Sequence, residues 1–240
     1  MKVTLTILRY RKRFIPFALL AMALFRIPLW FNKRISFWKL MGSGQNGTFD
    51  KQPDWQQWGI LTVENNGFPT EPMGNDKLLK ELYGPFISKW IHLFHCETWT
   101  VLLEPLESRG SWDGKKVFGD LQQRTDYEGP IAILTRATIR LSRINQFWSH
   151  VDGVADQMTG ARGFIMSLGI GELPWIKQAT FSVWQNLEAM KEFAYGMKEH
   201  TKVIRLTREE KWYSEEMFTR FKIAGSSGTL RGKDPLAGMM

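Results

Sequence analysis

Two glycine-ended stretches decide the fold of this 240-residue chain: RISFWKLMGSG at residues 34–44 and RGFIMSLGIG at residues 162–171. Each is a short apolar run that ends in Gly-x-Gly, which is typical of a β-strand closing in a tight turn. A second strand pattern follows each run, WQQWGILTVE at 55–64 and IKQATFSVWQ at 176–185. The two matching pairs indicate an internal repeat.

The segments around these pairs repeat in the same order. A strand and a helix-length segment precede each pair, at 3–31 and at 131–160, and an apolar helix and another strand pattern follow it. This order is that of the ferredoxin-like unit, whose four-stranded sheet carries helices on one face and leaves the other face bare. Two such units can bury their bare faces against each other. The sequence therefore predicts an α+β fold in which tandem ferredoxin-like (βαββαβ) repeats form a dimeric-type α/β barrel within one chain.

Changes in composition give the predicted boundaries. The first repeat is placed at residues 1–107 and the second at residues 130–223. The stretch between them, 108–129, is polar and contains glycines, as a linker does. The tail at 224–240 is rich in glycine and serine, so we expect it to be flexible and to lack regular structure.

The overall composition is that of a globular protein, with 43% hydrophobic and 23% charged residues. Because Cys96 is the single cysteine, an intrachain disulfide and a cysteine-based zinc or iron–sulfur site are excluded. There are four histidines, so a bound metal uses few nitrogen ligands or is a cofactor metal that needs one. The 11 Trp and 16 Phe fit an aromatic core and a pocket for a flat apolar ligand equally well.

The net charge of +8 and the sequence pI of about 9.6 permit an anionic partner. The basic residues are spread along the chain, and there is no RNP motif, zinc finger or uninterrupted basic helix. We therefore expect no nucleic-acid partner. An anionic membrane surface is compatible with the same charge balance.

The N-terminal apolar run, FIPFALLAMALFRIPLWF at 14–31, follows four basic residues within 9–13, as a signal sequence or membrane anchor does. However, Arg26 interrupts the run, and an alternating strand pattern precedes it at residues 3–8. We interpret the run as the first helix of the first repeat. A membrane-associated segment is the alternative.

A predicted helix at 186–205 carries the candidate ligand. Met190, Phe193 and Met197 recur at helical spacing and define an inward stripe, and His200 falls within about sixty degrees of the centre of this stripe. Such a histidine is either a core residue satisfied by a hydrogen bond or the axial ligand of haem. Haem needs one protein nitrogen and a dry pocket of aromatic and thioether side chains. The first repeat has Tyr83, and not a histidine, at about the corresponding position. One such ligand in two repeats would mean one cofactor per chain.

Other chemistries are not favoured. The chain has neither a Gly-x-Ser-x-Gly nor a Walker motif. Gly169-Ile170-Gly171 is followed by Glu172-Leu173-Pro174 where a phosphate-binding helix should begin, so it is interpreted as a turn. Cys96 adjoins His95, and neighbours in a strand point to opposite faces, which argues against a Cys–His nucleophile.

Several blocks of the second repeat resemble the spheroidene monooxygenase family, which introduces oxygen at C-2 of acyclic carotenoids. The more specific blocks are QATFSVW at 178–184 and WYSEEMF at 212–218; TRATI at 135–139, GELP at 171–174 and the stretch at 189–204 accompany them. The resemblance is strong over residues 130–223 and faint before them. It implies membership of the dimeric α/β-barrel haem proteins, beside the aldoxime dehydratases.

That resemblance implies that His200, which precedes Val203-Ile204, is the proximal ligand of haem b iron. The second repeat would then be the haem-binding one. In the dehydratases the distal histidine lies in a Tyr-His-Glu stretch, whereas the stretch here reads Trp212-Tyr213-Ser214-Glu215 and has no imidazole. This departure argues against dehydratase chemistry.

The placement of haem at His200 predicts the other residues of its pocket. We expect the Ala179, Phe181 and Val183 side of its strand to face the helix of His200. The other expected cofactor contacts are Met190, Phe193, Met197 and Trp212. Arg136 or Arg140 would pair with a haem propionate, with a surface salt bridge as the alternative. Ser214 is the candidate catalytic residue on the closing strand.

The resulting hypothesis is a haem-dependent monooxygenase acting on a carotenoid or similar apolar substrate. Dioxygen is its second substrate, and electrons come from a separate ferredoxin or reductase because no flavin or nicotinamide site is visible. We expect a cytoplasmic protein at the periphery of a membrane. The alternatives are a haem-binding sensor or carrier without turnover, an aldoxime dehydratase-like haem lyase, and a structural barrel without a cofactor.

Overall fold

The computed structural model describes residues 1–45, 51–64, 74–121, 126–196, 206–207 and 209–239, without the side chains of 151–157. The first repeat contains seven regular elements. They are β1 (Lys2–Arg9), α1 (Ile15–Leu24), α2 (Arg26–Phe31), β2 (Ile35–Gly44), β3 (Pro53–Glu64), α3 (Asn75–Leu93) and β4 (Glu97–Gly110). The predicted first helix is therefore two consecutive helices, of which α1 has a proline in its first turn, where its missing N–H costs nothing.

The second repeat has the same order of elements. They are β5 (Ile131–Ile139), α4 (Ile144–Thr159), β6 (Phe164–Leu173), β7 (Lys177–Trp184), α5 (Leu187–Gly196) and β8 (Tyr213–Gly228). A 3-10 turn precedes the first helix of each repeat, at Lys12–Phe14 and at Leu141–Arg143. Counting back from these turns places Thr6 of β1 and Thr135 of β5 at equivalent positions.

Hydrogen bonding joins the eight strands in the closed order β1-β3-β2-β6-β7-β5-β8-β4. Each repeat contributes the ferredoxin-like order, with β1 paired between β3 and β4 and β5 paired between β7 and β8, all antiparallel. The α+β barrel predicted from the repeat is confirmed.

Two compact units divide the chain differently from the predicted boundaries. One contains Met1–Gly42, Asp54–Glu104 and Ile223–Met240, and the other contains Ser43–Pro53 and Pro105–Lys222. The strands β4 and β8 run on to Gly110 and Gly228, past the predicted ends at 107 and 223. Long strands account for the difference, because each contributes residues to both units.

The C-terminal tail also differs from the prediction of a flexible segment without regular structure. Its first residues continue β8, and Leu236 further along is fully buried. The indole N–H of Trp99, itself fully buried, donates to Asp234 Oδ1 at 3.0 Å. A buried donor needs such an acceptor, and this need explains why a polar tail packs against the first unit.

We expect Asp234→Ala to lower the free energy of unfolding by about 1–3 kcal/mol, because the indole N–H of Trp99 loses its acceptor. Urea titration followed by tryptophan fluorescence measures the change. Asp234→Asn keeps an oxygen acceptor and should recover most of the loss, while Lys233→Ala serves as the neighbouring control. Equal stability of Asp234→Ala and wild type would show that the tail is not fastened in this way.

Candidate functional site

The helix-facing side of the first sheet is closed by a hydrogen-bonded group. Thr6 Oγ1 lies 2.7 Å from the hydroxyl of Tyr83 on α3 and 2.8 Å from Thr100 Oγ1, while Thr4 Oγ1 lies 2.6 Å from Thr62 Oγ1. All five side chains are buried. Burial raises the pKa of Tyr83 to about 12 against the opposing effect of these hydrogen bonds, so its phenol stays neutral. The first repeat leaves no room for a ligand here.

The equivalent surface of the second sheet is open. Thr135 occupies the position of Thr6 and pairs across the sheet with Thr180 on β7 and Phe218 on β8. Although β5 is hydrogen-bonded on both edges, Thr135 is exposed. Beside it, Thr180 Oγ1 is buried and has no hydrogen-bond partner among the described residues. Among the described residues, Thr135 is therefore an exposed position in the middle of a central strand.

Two separate hydrophobic clusters lie on either side of this opening. One is built on Ile131, Ile133, Trp184, Met190 and Phe193, and the other on Ile139, Phe147, Trp148 and Trp212. The helix α4 contributes Trp148 to the second cluster and Met158 to the first. Ten residues of helix separate these two side chains, or about 15 Å. We call the exposed sheet surface between the clusters, centred on Thr135, the Thr135 gap.

The first repeat has no comparable interruption among its described residues. One cluster runs from Leu8 and Tyr10 on the sheet through Ala18, Ala21 and Phe25 to the apolar face of α3. The difference between the repeats is therefore local. Among the described residues, it lies at the centre of the helix-facing surface, where Tyr83 covers Thr6 in the first repeat and Thr135 is exposed in the second.

Three of the predicted cofactor contacts lie at the ends of the Thr135 gap. Met190 and Phe193 on α5 pack in the first cluster, where the rings of Phe193 and Trp184 have centroids 5.2 Å apart. Trp212 is fully buried in the second cluster, and its indole N–H donates to Glu210 Oε2 at 3.2 Å. The predicted ligand His200 and the predicted contact Met197 lie outside the described residues.

The predicted orientation of β7 is wrong. Trp184 packs against α5, and alternation along the strand therefore places Phe181, Ala179 and Val183 on the other face. Phe181 pairs with Leu134, and both are fully buried. The even-numbered side chains face the helix because Trp184 supplies the large apolar area that α5 covers.

Arg136 lies on the face of Phe181, away from α5, and is buried among carboxylates. It makes an ion pair with Glu215, and its Nη2 lies 3.5 Å from Asp113 Oδ1 and 3.6 Å from Glu172 Oε1. Its guanidinium also lies over the ring of Trp112. This placement does not support the predicted pairing of Arg136 with a haem propionate. A buried guanidinium needs anionic partners, and these acids already neutralise it.

The other two polar candidates also have structural partners. Arg140 is exposed, and its Nε donates to the carbonyl oxygen of Tyr213 at 3.1 Å. The hydroxyl of Ser214, likewise exposed, donates to the carbonyl oxygen of Thr138 at 3.2 Å. Neither contact gives the side chain a catalytic task.

Sequence reasoning missed Arg220, the buried cation on the helix-facing side. It pairs across the sheet with Ile133 of the first cluster, and its Nη2 lies 3.2 Å from Glu107 Oε2. Its Nε is buried without a hydrogen-bond partner in the described part of the chain. The sequence did contain a signal for this placement. Arg220 follows Phe218 by two residues, and residues two apart in a strand lie on the same face of the sheet.

Elsewhere, a cavity of about 560 Å³ in the first unit is lined by His92, His95 and Cys96. Burial raises the pKa of the Cys96 thiol to about 12, although a hydrogen bond with Tyr10 opposes the shift. The thiol is therefore protonated at neutral pH and is not a nucleophile. Among the described residues, no group of three His, Cys, Asp or Glu side chains is placed to hold a metal ion.

Comparisons with known proteins identify the family. No protein-family model matches the chain. A spheroidene monooxygenase of Rhodobacter capsulatus is 36% identical over 93% of this chain and 90% of its own length. The chain belongs to the spheroidene monooxygenase family. It is therefore an enzyme with monooxygenase activity, as the resemblance of the second repeat implied.

Two further comparisons extend this result. The spheroidene monooxygenase of Cereibacter sphaeroides is 34% identical over 85% of this chain and 60% of its own length. A crystal structure of an aldoxime dehydratase with butyraldoxime has a TM-score of 0.61 at 9% identity, covering 99% of this chain and 84% of that one. At 9% identity, this likeness shows that the chain and the dehydratase share a fold. It does not show that they share a reaction.

The carboxylate of Glu215 gives a pH-dependent prediction. Burial alone would raise its pKa, but hydrogen bonds from the Gly114 N–H, the Ser111 hydroxyl and Arg136 together lower it to about 2. Stabilisation by this carboxylate is therefore complete above the unfolded-state pKa of about 4.3 and is lost as the pH falls toward 2. We expect Glu215→Gln to destabilise the protein most at pH 5–7 and progressively less below pH 4.

Urea unfolding of wild type and Glu215→Gln at pH 7, 5, 4 and 3 measures this difference. Glu216→Gln, the next residue in the same strand, is the control and should leave the pH dependence unchanged. A difference between wild type and Glu215→Gln that is constant from pH 7 to 3 would contradict the prediction.

Proposed function

We propose that this chain is a haem-dependent monooxygenase acting on a carotenoid or a similar apolar substrate, with haem b held at the Thr135 gap. The observation that carries the proposal is the contrast between Thr6, sealed under Tyr83, and its equivalent Thr135, which is exposed at the centre of the second sheet. Family membership supplies the monooxygenase activity.

The side chains around the gap fit such a group chemically. Aromatic rings bound it at both ends, with Trp184 and Phe193 on one side and Phe147 and Trp212 on the other. A flat apolar macrocycle is suited to surroundings of this kind. Arg220 is a buried cation beside the first cluster, and Glu107 is its ion-pair partner.

His200 is the proposed axial ligand. It follows the last described residue of α5 by four positions in the sequence, and α5 packs on the same sheet face as the gap. Haem bound there would supply the binding and reductive activation of dioxygen. The chain itself would exclude water through the two aromatic clusters and hold the substrate by apolar contact. The hydroxyl of Thr180, buried and without a hydrogen-bond partner among the described residues, belongs to the residue directly opposite Thr135 across the sheet.

Monooxygenation places one atom of dioxygen in the substrate and reduces the other to water, which consumes two electrons and two protons. We propose that a separate ferredoxin or reductase supplies the electrons. The proposed location is the cytoplasmic side of a membrane, with peripheral contact, because a hydrocarbon-like carotenoid dissolves in lipid.

Absorbance spectroscopy tests the ligand assignment. We expect the purified protein, reconstituted with haem b, to show a Soret band that His200→Ala shifts and weakens. His92→Ala and His95→Ala, both in the first unit, are matched controls and should leave the band unchanged. A normal Soret band in His200→Ala would overturn the assignment.

Filling the gap tests the site independently of the ligand. Thr135→Phe places a ring on an exposed position, so we expect the fold to persist by circular dichroism while haem affinity falls at least about tenfold. Thr135→Ser, which keeps the hydroxyl and removes only a methyl group, is the control. Haem titration followed at the Soret maximum gives the affinities, and unchanged binding by Thr135→Phe would exclude this surface.

Turnover separates the proposed reaction from its alternatives. We expect oxygen consumption and an oxygenated product when the haem-loaded protein receives a reductant and an acyclic carotenoid in detergent. Haem binding without oxygen consumption would indicate a sensor or carrier. Anaerobic dehydration of an aldoxime would indicate a lyase, and either result would overturn the monooxygenase proposal.

A further inference from the structure

The helix α1 buries its small residues and exposes its large ones. Ala18 and Ala21 are fully buried, whereas Leu19 and Leu20 are 46% and 47% exposed. A helix that stabilises a water-soluble core does the reverse, because burial of a leucine side chain contributes more than burial of an alanine. The arrangement therefore needs a cause other than packing within this chain.

The equivalent helix of the second repeat shows the ordinary pattern. Phe147 of α4 occupies the position of Ala18 and is buried, and Ser149 occupies the position of Leu20 and is exposed. The two helices have the same place in the same supersecondary unit. The exposed leucines consequently belong to the first repeat specifically and are not a requirement of the fold.

The exposed apolar stripe continues through α2. Phe17, Leu20, Ile27 and Phe31 recur at helical spacing, and Trp30 and Phe31 are 77% and 76% exposed. We call the group Phe17, Leu19, Leu20, Ile27, Trp30 and Phe31 the α1–α2 apolar surface. Contiguous exposed apolar residues of this size mark an interaction site.

The charges within this segment and next to it in the sequence are all of one sign. Arg11, Lys12 and Arg13 precede it, Arg26 interrupts it and Lys33 follows it, and all five are exposed. Residues 9–34 contain neither aspartate nor glutamate. Exposed cations around an apolar stripe, with a tryptophan near one end, complement anionic lipid headgroups above an acyl layer.

The topology argues against a segment that crosses a membrane. Among the described residues, Lys12–Phe31 is the one helical segment whose length and composition would suit a span. However, β1 ends at Arg9 and β2 begins at Ile35, and both strands are neighbours of β3. The two ends of the segment therefore return to the same sheet, and the fully buried Phe25 and Leu29 hold it there.

We propose that the α1–α2 apolar surface is a membrane-docking site, which inserts its aromatic and aliphatic side chains into an anionic bilayer while the surrounding cations bind the headgroups. The proposal does not depend on haem or on the reaction. It identifies the surface through which the protein would reach an apolar substrate dissolved in lipid.

Vesicle co-sedimentation of the full chain tests the docking. We expect binding to vesicles of phosphatidylcholine with 30% phosphatidylglycerol, and weak binding to phosphatidylcholine alone. Trp30→Ser with Phe31→Ser should lower the partition coefficient on the anionic vesicles by about tenfold or more, because two inserted rings are lost. Leu141→Ser with Trp175→Ser removes two exposed apolar side chains from the second unit and should have no effect.

The charge contribution is measured separately. Arg11→Gln, Lys12→Gln and Arg13→Gln together should abolish most of the preference for phosphatidylglycerol, and 0.5 M salt should do the same in wild type. Equal binding of wild type and Trp30→Ser with Phe31→Ser would overturn the proposal. So would an absence of vesicle binding combined with a concentration-dependent dimer that these substitutions abolish, which would make the surface an interface between two copies.

Failure of this proposal is distinguishable from failure of the proposed function. Trp30→Ser with Phe31→Ser should retain the wild-type Soret band and the wild-type turnover of substrate supplied in detergent. Loss of turnover with vesicle-embedded substrate alone would support docking. Loss of the Soret band in this variant would overturn the assignment of these residues to docking.

Discussion

Alternation of side chains along a central strand is the constraint on which the site depends. A strand hydrogen-bonded on both edges has two faces, and in each repeat the helices cover one of them. On β1 that face is closed by the Thr6–Tyr83 hydrogen bond, and on β5 the equivalent residue, Thr135, is exposed. This contrast between the two repeats is the observation on which the proposed site rests.

The same alternation reassigns the cations and aromatic rings of the second repeat. Arg136 and Phe181 belong to the face away from α5, where Arg136 and Glu215 form part of a buried ionic network. Arg220 belongs to the face that carries the gap. The block at 212–218 that resembles the family is thus partly structural, because Trp212 fills a core cluster and Glu215 neutralises Arg136.

The two units contribute different properties. The second unit contains the gap and its flanking aromatic clusters. The first has a sealed helix-facing surface and carries exposed apolar side chains on α1 and α2, surrounded by cations. Duplication of a ferredoxin-like unit allows this division, since one copy can lose its ligand space without loss of the barrel.

The sequence by itself determined the order of elements, the repeat, the α+β barrel and the family, because these depend on local periodicity and on glycine-ended strands such as 34–44 and 162–171. It also predicted Met190, Phe193 and Trp212 as cofactor contacts, and these residues pack in the two clusters beside Thr135. Only the tertiary structure decided which face of β7 meets α5, that Arg220 and not Arg136 lies on that face, and that the tail packs on Trp99. A period of two shows that faces alternate but not which face is covered, and an ion pair depends on residues far apart in the chain.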